Sequence, residues 1–233
     1  MLEIIPADEF VFNTTGIAIP GSSVENLCVK AYRMLKKDFD LDPVKIHLHK
    51  IIPSGAGIGG GSSDGAHTLR LLNSIFSLEL TQQELMDYAA KLGSDSAFFI
   101  QDSVMIGTGR GEVLTAISLT LKDKFLVLVK PDIHVSTKDA FTGIIPRASR
   151  PGVREILLNH PIDQWKDFLK NDFEEPIFKK YPSLKLLKEK LYTLGATYAT
   201  MTGSGSAMVG IFKSPTEISD QFRGSTFWSG RID

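Results

Sequence analysis

The chain has 233 residues, of which 42% are hydrophobic and 23% charged, and this length allows one large domain or two small ones with a sizeable core. Its formal net charge of -1 argues against nucleic acid or a membrane surface as an obligatory partner. No apolar run approaches the roughly 18 residues of a membrane span, and the single cysteine, Cys28, excludes an internal disulfide, so we expect a cytoplasmic protein.

The first half of the chain alternates strand and helix patterns. Residues 1–12 predict a strand followed by a polar turn. Apolar side chains recur at helical spacing over 24–38, which predicts an amphipathic helix. Over 44–52 apolar residues alternate with Lys and His, the pattern of a half-buried strand. Helical spacing then returns and continues to about residue 77.

A glycine-rich loop joins that strand to that helix. Five glycines fall within Gly55–Gly61, and Ser62, Ser63 and Asp64 follow at positions typical of an N-cap and a first helical turn. Free backbone N–H groups and the positive end of the helix dipole favour an anion at such a junction. Glycine removes the Cβ atoms that would keep the anion away and permits positive φ. The sequence therefore predicts a phosphate-binding loop.

Other interpretations of the glycine-rich loop have less support in the sequence. A Walker A loop needs a lysine after its last glycine, but Gly61 is followed by serine. The dinucleotide pattern G-x-G-x-x-G is present at Gly55, Gly57 and Gly60, which leaves a dinucleotide-binding oxidoreductase as an alternative. Against it, residues 78–81 lead into another helix and not into a strand that ends in an acidic residue. A flexible loop without a ligand is the remaining alternative.

The next segment contains a candidate catalytic acid. Thr81–Glu84 is a capping box that opens a helix ending at Gly93. Asp95 directly precedes an apolar run, so we expect its carboxylate to be partly desolvated. It is either a catalytic group or an N-cap that bonds its own backbone. Two short strands over 103–107 and 112–118 follow.

We predict two domains, 1–130 and 131–233, because Pro131 and Asp132 interrupt the chain after a buried strand over 125–130. The second domain is predicted to contain two helices, a second small-residue loop and a buried strand, at 136–143, 183–194, 202–206 and 207–212.

Three motifs in order carry a family resemblance: Pro53–Ser63, Gly93–Phe99 and Thr202–Ser206. Together they resemble the three motifs of the GHMP kinase superfamily, which includes galactokinase, homoserine kinase and mevalonate kinase. Gly109–Glu112 and Asn171–Glu174 narrow the resemblance to members that phosphorylate a cytidine diphosphate-linked methylerythritol in non-mevalonate isoprenoid biosynthesis. The resemblance covers essentially the whole chain.

The resemblance implies an α+β fold with two domains. The N-terminal domain would be like domain 2 of ribosomal protein S5, and the C-terminal domain would be ferredoxin-like. ATP would lie in the cleft between them with Mg²⁺, and the chain would be a small-molecule kinase acting as a monomer or homodimer. Its substrate would accept the phosphoryl group on the 2-hydroxyl of the methylerythritol.

The resemblance also assigns roles to residues. Asp95 would accept the proton of the attacking hydroxyl and so contact the substrate, and Thr137 and Phe141 would lie near the cytidine. Ser62 or Ser63 would approach the magnesium ion. The residues expected around ATP are Pro53, Ser54, Gly55, Ala56, Gly57, Ile58, Gly59, Gly60, Gly61, Ser62, Ser63, Thr202, Gly203, Ser204 and Gly205.

The sequence departs from the family in three places. Family members begin with a further segment of a few dozen residues, which carries a lysine that partners the catalytic aspartate and a histidine for cytosine. We expect this chain to start after that segment, with an unpaired strand edge as a consequence. Ala97 replaces a usual proline and Gly65 a usual alanine. A nucleotide-binding protein of the same fold with impaired catalysis is therefore an alternative.

Overall fold

The computed structural model describes residues 1–101, 103–144 and 152–232. The chain divides into two compact units. The first comprises Met1–Ser54 and Gly59–Ala116, and the second comprises Gly55–Ile58 and Ile117–Asp233.

A three-stranded sheet lies in the first unit. It contains β1 (Leu2–Pro6), β2 (Val11–Gly16) and β3 (Val44–Lys50), with β3 in the centre. β3 pairs antiparallel with β1 and parallel with β2, so β1 and β2 form the two edges of this sheet. The sequence did not predict β2, because its polar second half (Asn13–Gly16) is exposed and lacks the alternation of a half-buried strand.

Three helices pack with this sheet: α1 (Leu27–Phe39), α2 (Gly60–Ile75) and α3 (Gln82–Leu92). A Cβ on Gly65 would lie 2.9 Å from the Cβ of Leu27, so the glycine allows α2 to approach α1 closely. Buried side chains of the helices and the sheet form one core, which includes Ala31, Leu35, Ile46, Leu48, Leu69 and Leu72.

The predicted capping box is confirmed at the start of α3. The hydroxyl of Thr81 accepts from the backbone N–H of Glu84, whose carboxylate accepts from the backbone N–H of Thr81. A 3-10 helix over Ser96–Ile100 follows α3. The hairpin of β4 (Met105–Thr108) and β5 (Val113–Ala116) ends the first unit.

The second unit contains a four-stranded antiparallel sheet. Its strands are β6 (Phe125–Lys130), β7 (Tyr198–Met201), β8 (Met208–Phe212) and β9 (Thr226–Arg231), arranged in the order β7-β8-β6-β9. With β6 as the first strand, this order is the ferredoxin-like one, as the resemblance predicted. The sequence did not predict β9, because four of its six residues are Thr, Ser, Gly and Arg.

The described part of this unit contains five helices: α4 (Thr137–Thr142), α5 (Val153–Asn159), α6 (Trp165–Phe168), α7 (Glu174–Lys180) and α8 (Pro182–Thr193). The core beneath them includes Val127, Ile177, Leu184, Leu191, Met208 and Phe212. None of the described helices, in either unit, is long and apolar enough to cross a membrane.

The structure differs from the predicted division at residue 130. The compact units divide between Ala116 and Ile117, and Gly55–Ile58 belongs to the second unit. The physical reason is that β6 pairs with both β8 and β9, so it belongs to the second sheet and cannot end the first domain. The limits of the functional domains remain a proposal.

The topology argues against the dinucleotide-binding alternative. A Rossmann unit needs a second parallel strand after the helix that follows the glycine loop. Here α2 leads to α3, and the parallel neighbour of β3, which is β2, precedes it in the chain.

Candidate active site

The glycine loop ends at a helix N-terminus that no side chain caps. Gly59 occupies the N-cap position in the left-handed conformation, with φ of 69°, and makes no side-chain capping hydrogen bond. The first turn of α2 contains no acidic residue. Backbone N–H groups of a first helical turn lack intrahelical acceptors, so this turn can bind an anion.

The helix begins earlier than the sequence predicted. Gly60 and Gly61 are its first two residues, so Ser62 and Ser63 lie within the first turn and Asp64 follows it. A Cβ on Gly60 would lie 3.3 Å from Cγ2 of Ile52 and 3.4 Å from Nζ of Lys50. The start of the helix therefore lies beside these two side chains.

A buried ion pair supports this first turn. Nζ of Lys50 donates to Oδ2 of Asp64, and the side chain of Lys50 is only 7% exposed. The hydroxyl of Thr68 donates to the backbone carbonyl of Asp64 at 2.8 Å. This pair was not predicted from the sequence, although a lysine at the end of a strand and an acid in the following helix could have indicated it.

The second motif contacts the first within the same unit. A Cβ on Gly59 would lie 2.7 Å from Cζ of Phe99, which belongs to the 3-10 helix that begins after Asp95. The N-cap glycine of α2 and the Asp95 segment are therefore neighbours. Only a glycine in the left-handed conformation permits this approach without strain.

Asp95 is exposed, whereas the sequence led us to expect partial desolvation. The apolar run buries Ala97 and Ile100, but Asp95 precedes the 3-10 helix and stays at the surface. It occupies the N-cap position, yet its side chain makes no capping hydrogen bond. The hydroxyl of Ser94 donates to Oδ1 of Asp95 at 3.3 Å. The carboxylate is thus available to a ligand.

The turn of the β4–β5 hairpin lies beside this carboxylate. A Cβ on Gly111 would lie 3.5 Å from Oδ1 of Asp95, and Gly111 has a φ of 109°. The turn is held by its own acid, because the backbone N–H of Arg110 donates to Oε2 of Glu112 at 2.7 Å. Backbone N–H donors of Glu112 and Arg110 lower the pKa of the Glu112 carboxyl.

In the second unit, the other half of the glycine loop packs against the second small-residue loop. The backbone N–H of Ala207 donates to the carbonyl of Ala56 at 3.1 Å, and the hydroxyl of Thr202 donates to the same carbonyl at 3.3 Å. A Cβ on Gly57 would collide with the carbonyl oxygen of Thr202 and lie 2.9 Å from the backbone of Gly205. Two loops that are far apart in sequence therefore touch backbone to backbone.

The Asn171–Glu174 segment holds the second loop. The side-chain amide of Asn171 donates to the carbonyls of Met201 and Gly203, both at 2.8 Å. The buried carboxylate of Glu174 accepts from the backbone N–H of Met201 at 2.8 Å and from Lys188 Nζ at 2.6 Å. The sequence showed this segment only as a family motif, because its partners are about 30 residues away along the chain.

Thr137 and Phe141 lie four residues apart on α4, so they share one face of that helix. Phe141 is 61% exposed. Its ring meets the ring of Phe173 edge-on, with centroids 5.0 Å apart. This arrangement leaves an aromatic face available to a flat ligand.

A pocket of about 310 Å³ in the first unit reaches the glycine loop through Gly61. Phe12, Ile19 and Leu27 form its apolar lining, and Asn26 contributes a polar edge. None of these residues was predicted to belong to the site, because the pocket forms where β2 and the start of α1 meet in the fold. A larger, more open pocket of about 990 Å³ around the end of α8 contains none of the motif residues.

The described residues contain no group of three or more His, Cys, Asp or Glu side chains that could hold a metal ion. The hydroxyls of Ser62 and Ser63 in the first turn of α2 are the candidates that the sequence named.

Comparison with known families supports the motif analysis. The family model of the GHMP kinases N terminal domain matches residues 26–103. The model described as GHMP kinases C terminal matches residues 153–223.

Curated relatives match over nearly the whole chain. A 4-diphosphocytidyl-2-C-methyl-D-erythritol kinase from Cytophaga hutchinsonii is 48% identical over 93% of this chain and 80% of the relative. The Bacteroides fragilis protein of the same name is 47% identical over 90% of this chain and 76% of the relative.

Solved structures agree. A crystal structure of 4-(cytidine 5'-diphospho)-2C-methyl-D-erythritol kinase superposes with a TM-score of 0.80 at 28% identity, covering 98% of this chain and 84% of the other. A homoserine kinase from Cytophaga hutchinsonii has a TM-score of 0.76 at 15% identity, covers 99% of this chain and 84% of its own, and shows the fold alone. These findings confirm the predicted α+β fold and a small-molecule kinase with ATP as co-substrate. The chain belongs to the GHMP kinases and, among them, to the family of the 4-diphosphocytidyl-2-C-methyl-D-erythritol kinases.

Proposed function

We propose that this chain transfers the γ-phosphoryl group of ATP to the 2-hydroxyl of 4-diphosphocytidyl-2-C-methyl-D-erythritol, a step of non-mevalonate isoprenoid biosynthesis. The names of relatives that are 47% and 48% identical support this acceptor. The exposed carboxylate of Asp95, which occupies an N-cap position without capping, is the observation in this chain that carries the proposal.

The ATP phosphates bind the glycine loop, Pro53–Ser63, and the second loop, Thr202–Gly205. The uncapped first turn of α2 provides N–H donors and a positive dipole end for an anion. Gly57 and Gly59 have φ values of 76° and 69°, and a side chain at either position would collide with neighbouring atoms. The loop therefore needs glycine for its conformation as well as for access to phosphate.

The adenosine of ATP enters the pocket beside Gly61 in this proposal. The pocket is apolar on one side, where Phe12 and Leu27 lie, and Asn26 supplies a polar edge. Oδ1 of Asn26 accepts from the backbone N–H of Cys28 at 2.9 Å, so its amide N–H₂ group remains the natural donor to a base nitrogen.

Magnesium fits the oxygen donors of the first turn. Mg²⁺ prefers oxygen ligands, keeps several waters and is usually bound through substrate phosphates and few protein groups. The hydroxyl of Ser62 or Ser63 would hold it, and when bound it offsets the negative charge of the transferring phosphoryl group.

Asp95 acts as the general base. Its carboxylate accepts the proton of the acceptor 2-hydroxyl while that oxygen attacks the γ-phosphorus. The bond between the γ-phosphorus and the β,γ-bridging oxygen breaks, and ADP leaves. The hydroxyl of Ser94, which donates to Oδ1, orients the carboxylate, and the Gly111 turn limits the space beside it. The remaining work is positioning and charge stabilisation, which backbone donors supply.

The cytidine of the acceptor binds α4. The exposed ring of Phe141 offers an aromatic face on which cytosine stacks, an interaction typically worth about 1–3 kcal/mol. Thr137, on the same helix face, supplies a hydroxyl for hydrogen bonding.

We further propose a cytoplasmic enzyme, monomeric or homodimeric, that needs neither nucleic acid nor a membrane. Its ATP requirement, its single buried cysteine and its net charge of -1 support this environment.

The test is phosphoryl transfer from Mg-ATP to the named acceptor, with product mass and initial rate as readouts. Loss of a general base typically costs about 10²–10⁴-fold in rate. We therefore expect Asp95→Asn to lower kcat by about 10²–10⁴-fold while the KM for ATP changes little, because Asp95 does not contact the nucleotide base in this proposal.

Asp87→Asn is the matched control, because Asp87 is an exposed aspartate on α3 in the same unit, bonded by Gln83 at 2.9 Å. It should keep the wild-type rate. ATP binding without transfer to the acceptor would instead favour an impaired nucleotide-binding protein. Transfer to a different alcohol would overturn the acceptor assignment alone.

A further inference from the structure

His134 is an exposed histidine that no motif of the sequence analysis included. It lies between the end of β6 and the start of α4, three residues before Thr137. Its neighbour Val135 is buried in the core of the second unit. The imidazole of His134 is thus at the surface, while the side chain of the following residue is buried in the core.

The imidazole of His134 lies against the glycine loop. A Cβ on Gly55 would lie 2.9 Å from Cε1 and 3.0 Å from Nδ1 of His134. Gly55 has a φ of 69°, so its backbone turns in the left-handed region directly beside the ring. Both residues belong to the second unit. The ring therefore forms one wall of the loop at its first glycine.

Two hydrogen bonds hold the backbone that carries His134. The hydroxyl of Ser206 donates to the carbonyl of Ile133, and Nζ of Lys130 donates to the same carbonyl at 3.2 Å. Ser206 directly follows Gly205 of the second small-residue loop. Both glycine-rich loops are thus in contact with the Ile133–His134 segment, the first through Gly55 and the second through Ser206.

The charges around His134 leave the imidazole as the available donor. Nζ of Lys130 already donates to the carbonyls of Pro131 and Ile133, and burial lowers the pKa of this lysine. Asp132 is exposed and carries a negative charge. Among the described residues, neither ring nitrogen of His134 has a hydrogen-bond partner.

We infer that His134 is a phosphate-binding residue, whose imidazole N–H donates to a phosphate oxygen of the ligand that occupies the glycine loop. The inference rests on the proposed function. The phosphate has two possible sources, the ATP held by the loop and the diphosphate of an acceptor bound through Thr137 and Phe141 on α4. A hydrogen bond to an ionised phosphate is stronger than one between neutral groups.

The first experiment compares His134→Ala and His134→Gln with the wild type, measuring separate KM values for ATP and for the acceptor. We expect His134→Ala to raise one KM about tenfold with kcat nearly unchanged, and His134→Gln to recover part of the loss because its amide can donate. The KM that rises identifies the source of the phosphate.

His160→Ala is the matched control. His160 is a half-buried histidine of the same unit, stacked on Phe168 and distant in sequence from both loops. Its KM values should equal those of the wild type.

A second readout does not depend on turnover. The imidazole ¹H–¹³C signal of His134, assigned by its loss in His134→Ala, is followed while ADP, CDP, adenosine or cytidine is added. We expect ADP or CDP to shift it and the nucleosides without phosphate to leave it in place. Unchanged KM values together with a signal that neither ADP nor CDP moves would overturn the inference. If the wild type fails to phosphorylate the acceptor, the proposed function fails, yet the ADP and CDP titrations still decide the role of His134.

Discussion

Each unit of the molecule holds its glycine-rich loop with a lysine–carboxylate pair, and the two pairs are built in opposite ways. In the first unit, Lys50 pairs with Asp64 at the start of α2. In the second unit, Lys188 on α8 pairs with Glu174 on α7 at 2.6 Å. Both pairs lie next to a loop that we propose to contact ATP.

The difference is which partner is buried more deeply. In the first pair the lysine side chain is 7% exposed and the aspartate 23%, whereas in the second the glutamate is 11% exposed and the lysine 21%. Nζ of Lys50 would lie 3.4 Å from a Cβ on Gly60 of the glycine loop. Glu174 instead accepts from the backbone N–H of Met201, the last residue of β7 before the second loop. The first pair therefore places a positive charge next to the glycine loop. The second pair fixes the backbone just before the second loop.

Glu174→Ala should have the largest effect on stability. It removes the acceptor of the Met201 N–H and of the Thr200 hydroxyl and leaves Lys188 without its carboxylate. Breaking a buried pair typically costs about 3–5 kcal/mol, and we expect a loss in that range in the free energy of unfolding measured with urea.

Glu175→Ala is the control for that change, because Glu175 is the adjacent residue and pairs with Lys179 at the surface, where its side chain is 66% exposed. Surface pairs are worth about 0–1 kcal/mol. Equal losses for the two variants would show that burial of Glu174 is unimportant.

Lys50→Met should have the next largest effect, with a loss of about 2–3 kcal/mol in the free energy of unfolding, since Asp64 remains partly solvated. The double variant Lys50→Met, Asp64→Leu should recover most of this stability, because no unpaired charge remains. If the charge of Lys50 also supports ATP binding, the double variant keeps a raised KM for ATP.

Lys30→Met, which breaks the exposed Lys30–Glu25 pair of the same unit, is the matched control for stability and should leave the free energy of unfolding unchanged. If the double variant has the wild-type KM for ATP, the role of Lys50 is structural only.

The smallest effect concerns Cys28, the single cysteine, which lies in the core of the first unit. Burial raises the pKa of its thiol to about 11 from an ordinary value of 9.0. Because the folded form binds the proton more tightly, its stabilising contribution is complete below pH 9 and is lost as the pH rises towards 11. One pKa unit corresponds to about 1.4 kcal/mol, so we expect a fall of about 2 kcal/mol over this range.

Urea unfolding between pH 8 and pH 11 checks this fall, and Cys28→Ala should reduce it by about the Cys28 contribution. Tyr88 and Tyr198, whose pKa values are raised to about 12, should still lower the stability at the upper end of this range. Thiol alkylation at pH 8 sharpens the comparison of the two pairs, since Cys28 reports opening of the first unit alone. Lys50→Met should accelerate the labelling of Cys28, and Glu174→Ala should accelerate it less. The reverse order would contradict the assignment of each pair to its own unit.

Much of the fold was predictable from local patterns. The capping box at Thr81, the strand over Phe125–Lys130 and the helix that begins after Ser136 are all confirmed. Each depends on contacts within a few residues, which the sequence displays directly. The edge strands β2 and β9 were not predicted, because their polar residues carry no alternation and backbone hydrogen bonds to a neighbouring strand hold them in place.

The candidate site divides in the same way. The glycine loop, Asp95 and the second loop were visible as motifs, since glycine spacing and an acid before an apolar run are local signals. Four residues were not assigned to the site from the sequence: Lys50, Asn171, Glu174 and His134. Each contacts a partner that is distant in sequence, so its role is visible only in the folded chain.

Most of the elements, the order of the motifs and the family resemblance could be predicted from the sequence, because periodicity, capping residues and glycine spacing are properties of short stretches of chain. Only the tertiary structure decided that α2 begins at Gly60, that Gly55–Ile58 packs with Thr202–Gly205 and that Asp95 is exposed. The physical reason is that burial and close backbone approach depend on which distant segments meet.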